Sequence, residues 1–447
     1  MIKLHTLTSL LAVAVFSTGC SKAENPKPES KPEASATPQP SATPAPSATT
    51  APSAKTVTLG ENLFPIWPWT YPEKGRFGDR CAEIYGLIAA GGCNVVKAPV
   101  SDLDACQTAG LKVLVDDPRV HRGDIKTVTQ ERAEKDFLSL LHDINNHPAV
   151  VGFFVGDEPT TEMFRGLEIQ YRLIEKYAPE KVGVLGLFPN VADPLSQLKA
   201  DDYETYVRDF VKTCRPRIFG YDHYDLTESK RYPSDTYWQN LETFRKISAE
   251  EKIPFFVWVG CGAFGDQREQ SAADMRFEVF SVLAYGAKGI GLFPFLSIQV
   301  DAGRAEPIDG FGKPSPFFYE MQLLNKRLQL LGPELLPLRC DAVYHYTTFG
   351  LPAGSRTLAE GDLLKSIKVN KKEYRLLIGE FTHRDTGARY LMIVNCDLDH
   401  TVTVAPELAT PARDIYYFEP YLGKYIDFAA YNGIAPGDGR LIKVIPK

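Results

Sequence analysis

Two regimes of hydrophobic patterning follow one another after about residue 60. In the first, short runs that are apolar almost throughout alternate with longer stretches whose apolar residues recur at helical spacing. A run that is apolar throughout predicts a strand buried on both faces, as in parallel sheets. The pattern predicts strands over 63–67, 93–98, 111–115, 149–155, 181–188, 217–221, 254–260 and 290–295. It predicts helices over 79–90, 102–109, 129–145, 161–177, 202–214, 234–251 and 272–287, several of them closed by glycine. A further helix around 314–331 completes the series. Eight strand–helix units in roughly 270 residues is the size of an eight-stranded (β/α) TIM barrel. The rival is an open doubly wound sheet, which carries a glycine-rich phosphate turn after its first strand. Here the first strand ends in Trp67-Pro-Trp69 instead.

The second regime is shorter in period. Residues 343–346, 364–369, 374–381, 390–395, 401–404, 414–418 and 441–445 read as short strands separated by turns. Asp385-Thr-Gly387 is a hairpin signal between two of them. This predicts an all-β sandwich. The expected fold class is therefore α/β, a (β/α)8 barrel over 57–332 followed by a β-sandwich over 333–447. Buttressing the barrel or binding carbohydrate are the roles expected of the sandwich.

The N-terminus follows neither regime. A short basic start, an apolar stretch from Leu7 to Phe16 and Ser17-Thr-Gly-Cys20 resemble a bacterial lipoprotein signal over 1–19, with Cys20 as the lipidated residue. Such signals normally have leucine where Ser17 stands, and an ordinary secretory signal is the alternative. Residues 20–56, rich in Pro, Ala, Ser and Thr, cannot bury a core and read as an extended linker. At ~3.1 Å per residue such a linker reaches on the order of 100 Å. The expected location is the cell envelope, exported and lipid-anchored, or secreted if the lipid signal is unused. The expected membrane contact is the anchor alone.

Composition narrows the function classes. The formal net charge of −6 comes with no basic stripe, so nucleic acid is not an expected partner. After Cys20, seven cysteines remain, an odd number without CxxC spacing. No metal and no cofactor is expected, and at least one thiol is free or pairs between molecules. A Cys81–Cys106 disulfide is possible in an exported protein.

Chemistry concentrates at the predicted strand ends. Gly156-Asp-Glu-Pro159 ends the fourth strand and delivers two carboxyls, Asp157 and Glu158, to its C-terminal mouth. In a (β/α)8 barrel that end of every strand faces the active site. Capping of the next helix is the alternative role for Asp157. The sixth strand ends in Asp222-His-Tyr-Asp225, the third in Asp116-Asp117, and Asn190 follows the fifth. Asp301 and Asp309 lie in the loop after the eighth. Trp67 and Trp69, beside prolines at a strand end, and Trp258 in the seventh strand offer aromatic faces suited to sugar rings. Core packing is the alternative for Trp258, and an exposed loop position for His223.

Gly156-Asp-Glu-Pro159, Leu187-Phe-Pro-Asn190, Tyr221-Asp-His-Tyr224 and Leu283-Ala-Tyr-Gly-Ala-Lys-Gly-Ile290 together resemble the barrel of clan A glycoside hydrolase-like proteins, including exported bacterial proteins allied to the family 42 β-galactosidases. In that clan the acid/base glutamate follows strand four, commonly as Asn-Glu-Pro; Glu158 matches it, with Asp157 replacing the asparagine. The clan's nucleophile is a glutamate at the end of strand seven, which this chain lacks: the strand ends in Gly260-Cys-Gly. The resemblance implies an exported hydrolase of an oligo- or polysaccharide. Glu158 is expected as general acid and Asp222 as second carboxylate. Trp67, Trp69, Asp116, Asp157, Asn190, His223, Tyr224 and Trp258 are expected to contact substrate. A carbohydrate-binding lipoprotein that has lost activity is the alternative, and a lyase or other hydrolase on the same fold a third.

Overall fold

The computed structural model describes residues 57–298, 306–358 and 363–447. The predicted signal 1–19, the linker 20–56 with Cys20, and Asp301 lie outside the described residues. Eight parallel strands come first: β1 (Ile66–Pro68), β2 (Val95–Ala98), β3 (Lys112–Val115), β4 (Val150–Asp157), β5 (Val182–Gly186), β6 (Phe219–Asp222), β7 (Phe255–Gly260) and β8 (Ile290–Phe293). They form two parallel sheets of four, ordered β2-β3-β4-β5 and β1-β8-β7-β6. Main-chain contacts cross both seams. Leu187, just past β5, bridges in parallel to Tyr221 of β6. Asn94, just before β2, donates its N–H to the Ile66 carbonyl at 2.9 Å.

The connecting helices are α1 (Lys74–Phe77), α2 (Cys81–Ala90), α3 (Leu103–Thr108), α4 (Gln130–Ile144), α5 (Phe164–Tyr177), α6 (Tyr203–Cys214), α7 (Asp235–Glu251), α8 (Ala272–Ala284) and α9 (Pro316–Leu335). Their starts are set by local chemistry. The Thr129 side chain accepts the Arg132 N–H before α4, and Ser271 with Asp274 makes a reciprocal capping box before α8. All the predicted strands and helices of this half are present; the short α1 was not predicted.

The strands read as apolar throughout because both faces are buried. On the outer face they share one core with the helices, with Phe153, Val155, Leu185 and Val259 among its members. On the inner face Trp67, Val95, Leu114, Phe154, Val184, Phe256 and Trp258 fill a second core. Glycine makes room there. A Cβ on Gly291 would stand 2.0 Å from Trp258 Cδ1, and one on Gly186 2.7 Å from its Cζ3.

The second half is antiparallel. β9 (Leu338–Thr347), β10 (Leu364–Val369), β11 (Arg375–His383), β12 (Arg389–Asn395), β13 (Val402–Leu408), β14 (Ala412–Glu419), β15 (Lys424–Asp427), β16 (Gly433–Ile434) and β17 (Gly439–Pro446) follow. Six form a sheet ordered β15-β14-β17-β12-β11-β9, and three another, β10-β13-β16. Leu364, Ile378, Leu391, Val404 and Ile442 belong to the core they share. β11 and β12 are joined at Asp385-Thr-Gly387, where the His383 N–H reaches the Ala388 carbonyl at 2.8 Å. β15, which buries none of its residues, and the two-residue β16 were not predicted.

The other face of the six-stranded sheet packs on α8: Leu377, Phe381 and Met392 share the large core with Phe277, Phe280 and Leu283. Layers on both sides explain why α8 is buried almost all round rather than amphipathic. Contacts join Lys55–Lys447 into one compact unit. The possible Cys81–Cys106 disulfide is not formed; the seven described cysteines are free and buried. Among the described residues no helix is long and apolar enough to cross a membrane.

Candidate functional site

The mouth of β4 is built by two departures from regular strand geometry. The pairing of β4 with β5 shifts register between Phe154 and Gly156, so Val155 is an extra residue. Such a bulge re-aims the side chains that follow it. It pairs Asp157 with Gly186, two residues beyond the inward-facing Val184, and so turns Asp157 toward the inner face. Glu158 then takes a left-handed backbone conformation, φ 42°, while its N–H donates to the Gly186 carbonyl at 2.8 Å. In a continuing strand Glu158 would point away from Asp157. The left-handed turn breaks that alternation. The other described non-glycine residues with positive φ sit at or next to helix ends. At a strand mouth the conformation is strain, of order 1–3 kcal/mol, retained where the surroundings enforce it.

β6 brings the third carboxyl. Inner and outer faces alternate along it. Tyr221 packs outward on Phe244 of α7, ring centroids 4.2 Å apart, while Tyr224 packs with the inner cluster. Asp222 therefore faces in. Its Oδ1 is sealed from water without a hydrogen-bond partner. Burial, then Glu158, then Asp157 push its pKa well above the ordinary carboxylate range. Burial and Asp157 push Glu158 up to about 7. Asp157 rises to about 6, chiefly through burial, with Lys97 and His121 pulling it back. Asp157 is exposed to water, yet closely surrounded by protein. Near neutral pH Asp157 is mostly ionised and Glu158 is balanced, while burial and both neighbours disfavour the ionised form of Asp222.

A second group adjoins Asp157. Lys97, buried in β2, lies 3.7 Å from the Trp69 ring centroid and 4.1 Å from that of Phe154. Its ammonium is 3.9 Å from Asp116. Burial lowers the Lys97 pKa, against the pull of Asp116 and Asp157. Burial alone would raise Asp116. The His121 ring nitrogen 2.9 Å away, Lys97 and Tyr71 outweigh it and hold Asp116 ionised. Lys97, His121 and Tyr71 were not singled out from the sequence. The available signal was a lysine inside an otherwise apolar predicted strand.

The structure brings Asp157, Glu158, Asp222, Asp116, Tyr224 and Trp69 to this end of the strands; four expected contacts fall elsewhere. Trp67 and Trp258 are each 1 % exposed, packed together in the inner core with centroids 4.9 Å apart and planes tilted by 35°, and belong to the core rather than to a sugar platform. His223 is buried, not in an exposed loop. It follows Asp222 by one residue, so alternation turns it outward against Tyr237 of α7, where burial lowers its pKa to about 4. Asn190 binds α7 instead: its N–H donates to Asn240 Oδ1 and its amide to the Thr236 carbonyl, each at 2.9 Å. Asp309 accepts the N–H groups of Phe311 and Lys313 in a turn. β7 itself ends without a carboxyl, but buried Glu306 stands against its end: a Cβ on Gly262 would lie 2.8 Å from the Glu306 Cγ. A Cβ on Gly260 would lie 3.7 Å from Glu278 Oε2, but Glu278 comes from α8, is sealed from water, and burial raises its pKa to about 8.

Among the described residues, one group has spacing that would suit a metal: Asp397, Asp399 and His400 in the antiparallel half. Asp399 is already ion-paired with Arg231.

No protein-family model matches the chain, and no curated protein matches it. Solved structures do. The fold is similar to that of a catalytic mutant of a family 42 β-galactosidase from G. stearothermophilus, with a TM-score of 0.54 at 9 % identity over 87 % of this chain and 99 % of that one. A structure described as a glycoside hydrolase gives 0.52 at 12 % identity, over 86 % and 93 %. A β-galactosidase from the psychrophilic Marinomonas ef1 gives 0.46 at 11 % identity over 61 % of this chain, which spans 62 % of that protein's length. The chain has a glycoside hydrolase fold.

Proposed function

We propose that the two parallel sheets are the halves of one closed (β/α)8 barrel, and that the protein is a glycoside hydrolase with Glu158 as general acid. The seam contacts at Leu187–Tyr221 and Asn94–Ile66 support closure. The observation that carries the activity is Glu158 itself. A largely buried carboxyl with a pKa of about 7, held on a strained residue at a strand mouth beside an ionised Asp157, suits a proton donor near neutral pH. Asp222 is the second carboxyl of the pair. It faces the same mouth and feels both neighbours, yet as a base or nucleophile it works only once its proton has left. Tyr224, packed on Phe293 with centroids 5.1 Å apart, and the half-buried Trp69 supply aromatic surface for a sugar ring.

One observation favours a second reading, a carbohydrate-binding protein without turnover: β7 ends in Gly260-Cys-Gly and itself supplies no carboxyl. A panel of oligosaccharides and aryl glycosides decides between them. Release of reducing sugar by the wild type, lost in Glu158→Gln, is the result expected of a hydrolase. Saturable oligosaccharide binding with no product would establish the binding protein.

The same reading includes export and anchoring through Cys20 on the 20–56 linker, supported by the residue pattern of 1–20. Cys20→Ser is expected to move the protein from the membrane fraction to the soluble one. Unchanged partition would remove the anchor from the proposal.

A further inference from the structure

We infer that a second carbohydrate site, for a sugar ring that carries a carboxylate, lies between α7 and the antiparallel half, apart from the β4 mouth. A cavity of about 250 Å³ opens there, and none of the carboxyls at the ends of β3, β4 and β6 lines it. Its walls come from the loop before α7, from α7 and α8, and from β9, β11 and the turn after β9.

The register of the six-stranded sheet sets what enters the cavity. Arg375 of β11 pairs directly with Thr347 of β9, so both side chains stand on one face of the sheet. Leu377, two residues on, packs on that face with the α8 core, so Arg375 and Thr347 face the barrel half. There the Arg375 guanidinium is held by rings from two separate loops, 3.5 Å from the Phe349 centroid and 4.2 Å from that of Tyr232. Among the described residues no carboxylate, carbonyl or hydroxyl accepts a hydrogen bond from it. Other cations of this seam are engaged: Arg245 with Glu242, Arg327 with Asp438, and Lys288 with the Leu335 carbonyl. A guanidinium keeps its charge, and its donors form a planar fork that fits a carboxylate. Thr347 Oγ1 accepts the Phe349 N–H at 3.0 Å, which leaves its own proton to donate. Arg375 is thus an anion receptor fixed before any ligand arrives.

The other walls select the body of the ligand. Trp238 is packed edge-on against His345, centroids 4.7 Å apart, and His345 Nε2 is itself fixed by the Tyr285 hydroxyl at 3.1 Å. Trp238 and Tyr232 give the cavity rigid aromatic surface, which suits the CH face of a pyranose. The lining includes one carboxylate, Asp235, the exposed first residue of α7. It accepts hydroxyl protons, which a simple anion does not have. A uronic acid offers both a carboxylate to Arg375 and ring hydroxyls to Asp235. The choice of a sugar rests on the hydrolase reading; the anion receptor does not.

The test measures binding of glucuronate and galacturonate to the full chain by titration calorimetry, against glucose, galactose, acetate and sulfate. The expected result is saturable binding of a uronate, at least about tenfold tighter than its neutral counterpart, because the neutral sugar lacks the charge-assisted contact. Arg375→Met is expected to abolish that difference. Arg375→Lys is expected to keep only part of it, because lysine lacks the planar fork. Thr347→Val is expected to weaken uronate binding severalfold. These two mild changes keep the test readable if Arg375→Met does not fold. Trp69→Ala, at the β4 mouth, is expected to leave uronate binding unchanged. Binding lost in Trp69→Ala and kept in Arg375→Met would move the acidic sugar to the β4 mouth and overturn the inference. Acetate or sulfate binding as tightly as a uronate would overturn the sugar class. No uronate binding would overturn the site, whatever glycosides the protein cleaves. Uronate binding through Arg375 in a protein that cleaves no glycoside would uphold the site and sink the hydrolase reading alone.

Discussion

Glu158→Gln is expected to lower turnover of an unactivated glycoside by about 10²–10⁴ and, in the same protein, to raise stability above neutral pH. The amide keeps the shape of the acid and its hydrogen-bonding reach but has no proton to transfer. Substrates with good leaving groups need less protonation, so they lose less. The stability gain follows from the same burial that suits Glu158 to its role. The pKa of Glu158 stands at about 7 in the fold against an ordinary 4.5, so the folded protein keeps a proton that the unfolded chain releases. Stability therefore falls as pH rises between those two values, by up to about 3 kcal/mol. Glutamine removes that slope. Urea unfolding of both proteins at pH 5 and pH 8 is expected to show the variant more stable at pH 8, with the gap largely closed at pH 5. A gap equal at both pH values would mean that Glu158 is not the buried titrating group described here.

Trp258→Ala is expected to cost about 3–5 kcal/mol, seen as a fall in the denaturant midpoint at unchanged slope. The ring is 1 % exposed and is walled by Phe256, Trp67 and Trp69, at centroid distances of 4.6, 4.9 and 5.3 Å. Gly186 and Gly291 bring main chain directly against it, and main chain of paired strands cannot collapse into the space left behind. The lost ring also lies near Asp157, whose Oδ1 would stand 3.1 Å from a Cβ on Gly186. Activity should fall with stability. Trp69→Ala, at a half-buried ring, is expected to cost less stability. A loss for Trp258→Ala no larger than that for Trp69→Ala would contradict the packing described.

Much of this architecture was legible in the residue pattern, for local reasons. A strand covered on both faces must be apolar throughout, and a helix covered on one face must repeat near every third or fourth residue; both are properties of consecutive residues. The eight parallel strands, the switch to antiparallel strands after α9, and the acid pair ending β4 follow from that. β15 buries none of its four residues and so has no apolar run to read, and β16 has only two residues. Lys97 stayed hidden because a single lysine near the end of an apolar run reads as the point where a strand reaches water. In the fold it is buried against Trp69 and Phe154.

What the sequence by itself determined is which residues are strand, which are helix, and which carboxyls arrive at strand ends. The tertiary structure alone decided which way those side chains face and what charge they hold. Asp157 turns inward because one extra residue in β4 shifts its register against β5, a relation between two strands that neither run shows. His223 turns away from Asp222, and Trp67 into the core, because period-two alternation has no meaning until tertiary packing fixes which face is inner. Ionisation is decided last, because it depends on desolvation and on charges brought from distant parts of the chain. Burial raises Asp157, and Lys97 and His121 pull it part of the way back; burial, then Glu158 and Asp157, push Asp222 up. Those fields fall off with distance in space, not along the sequence.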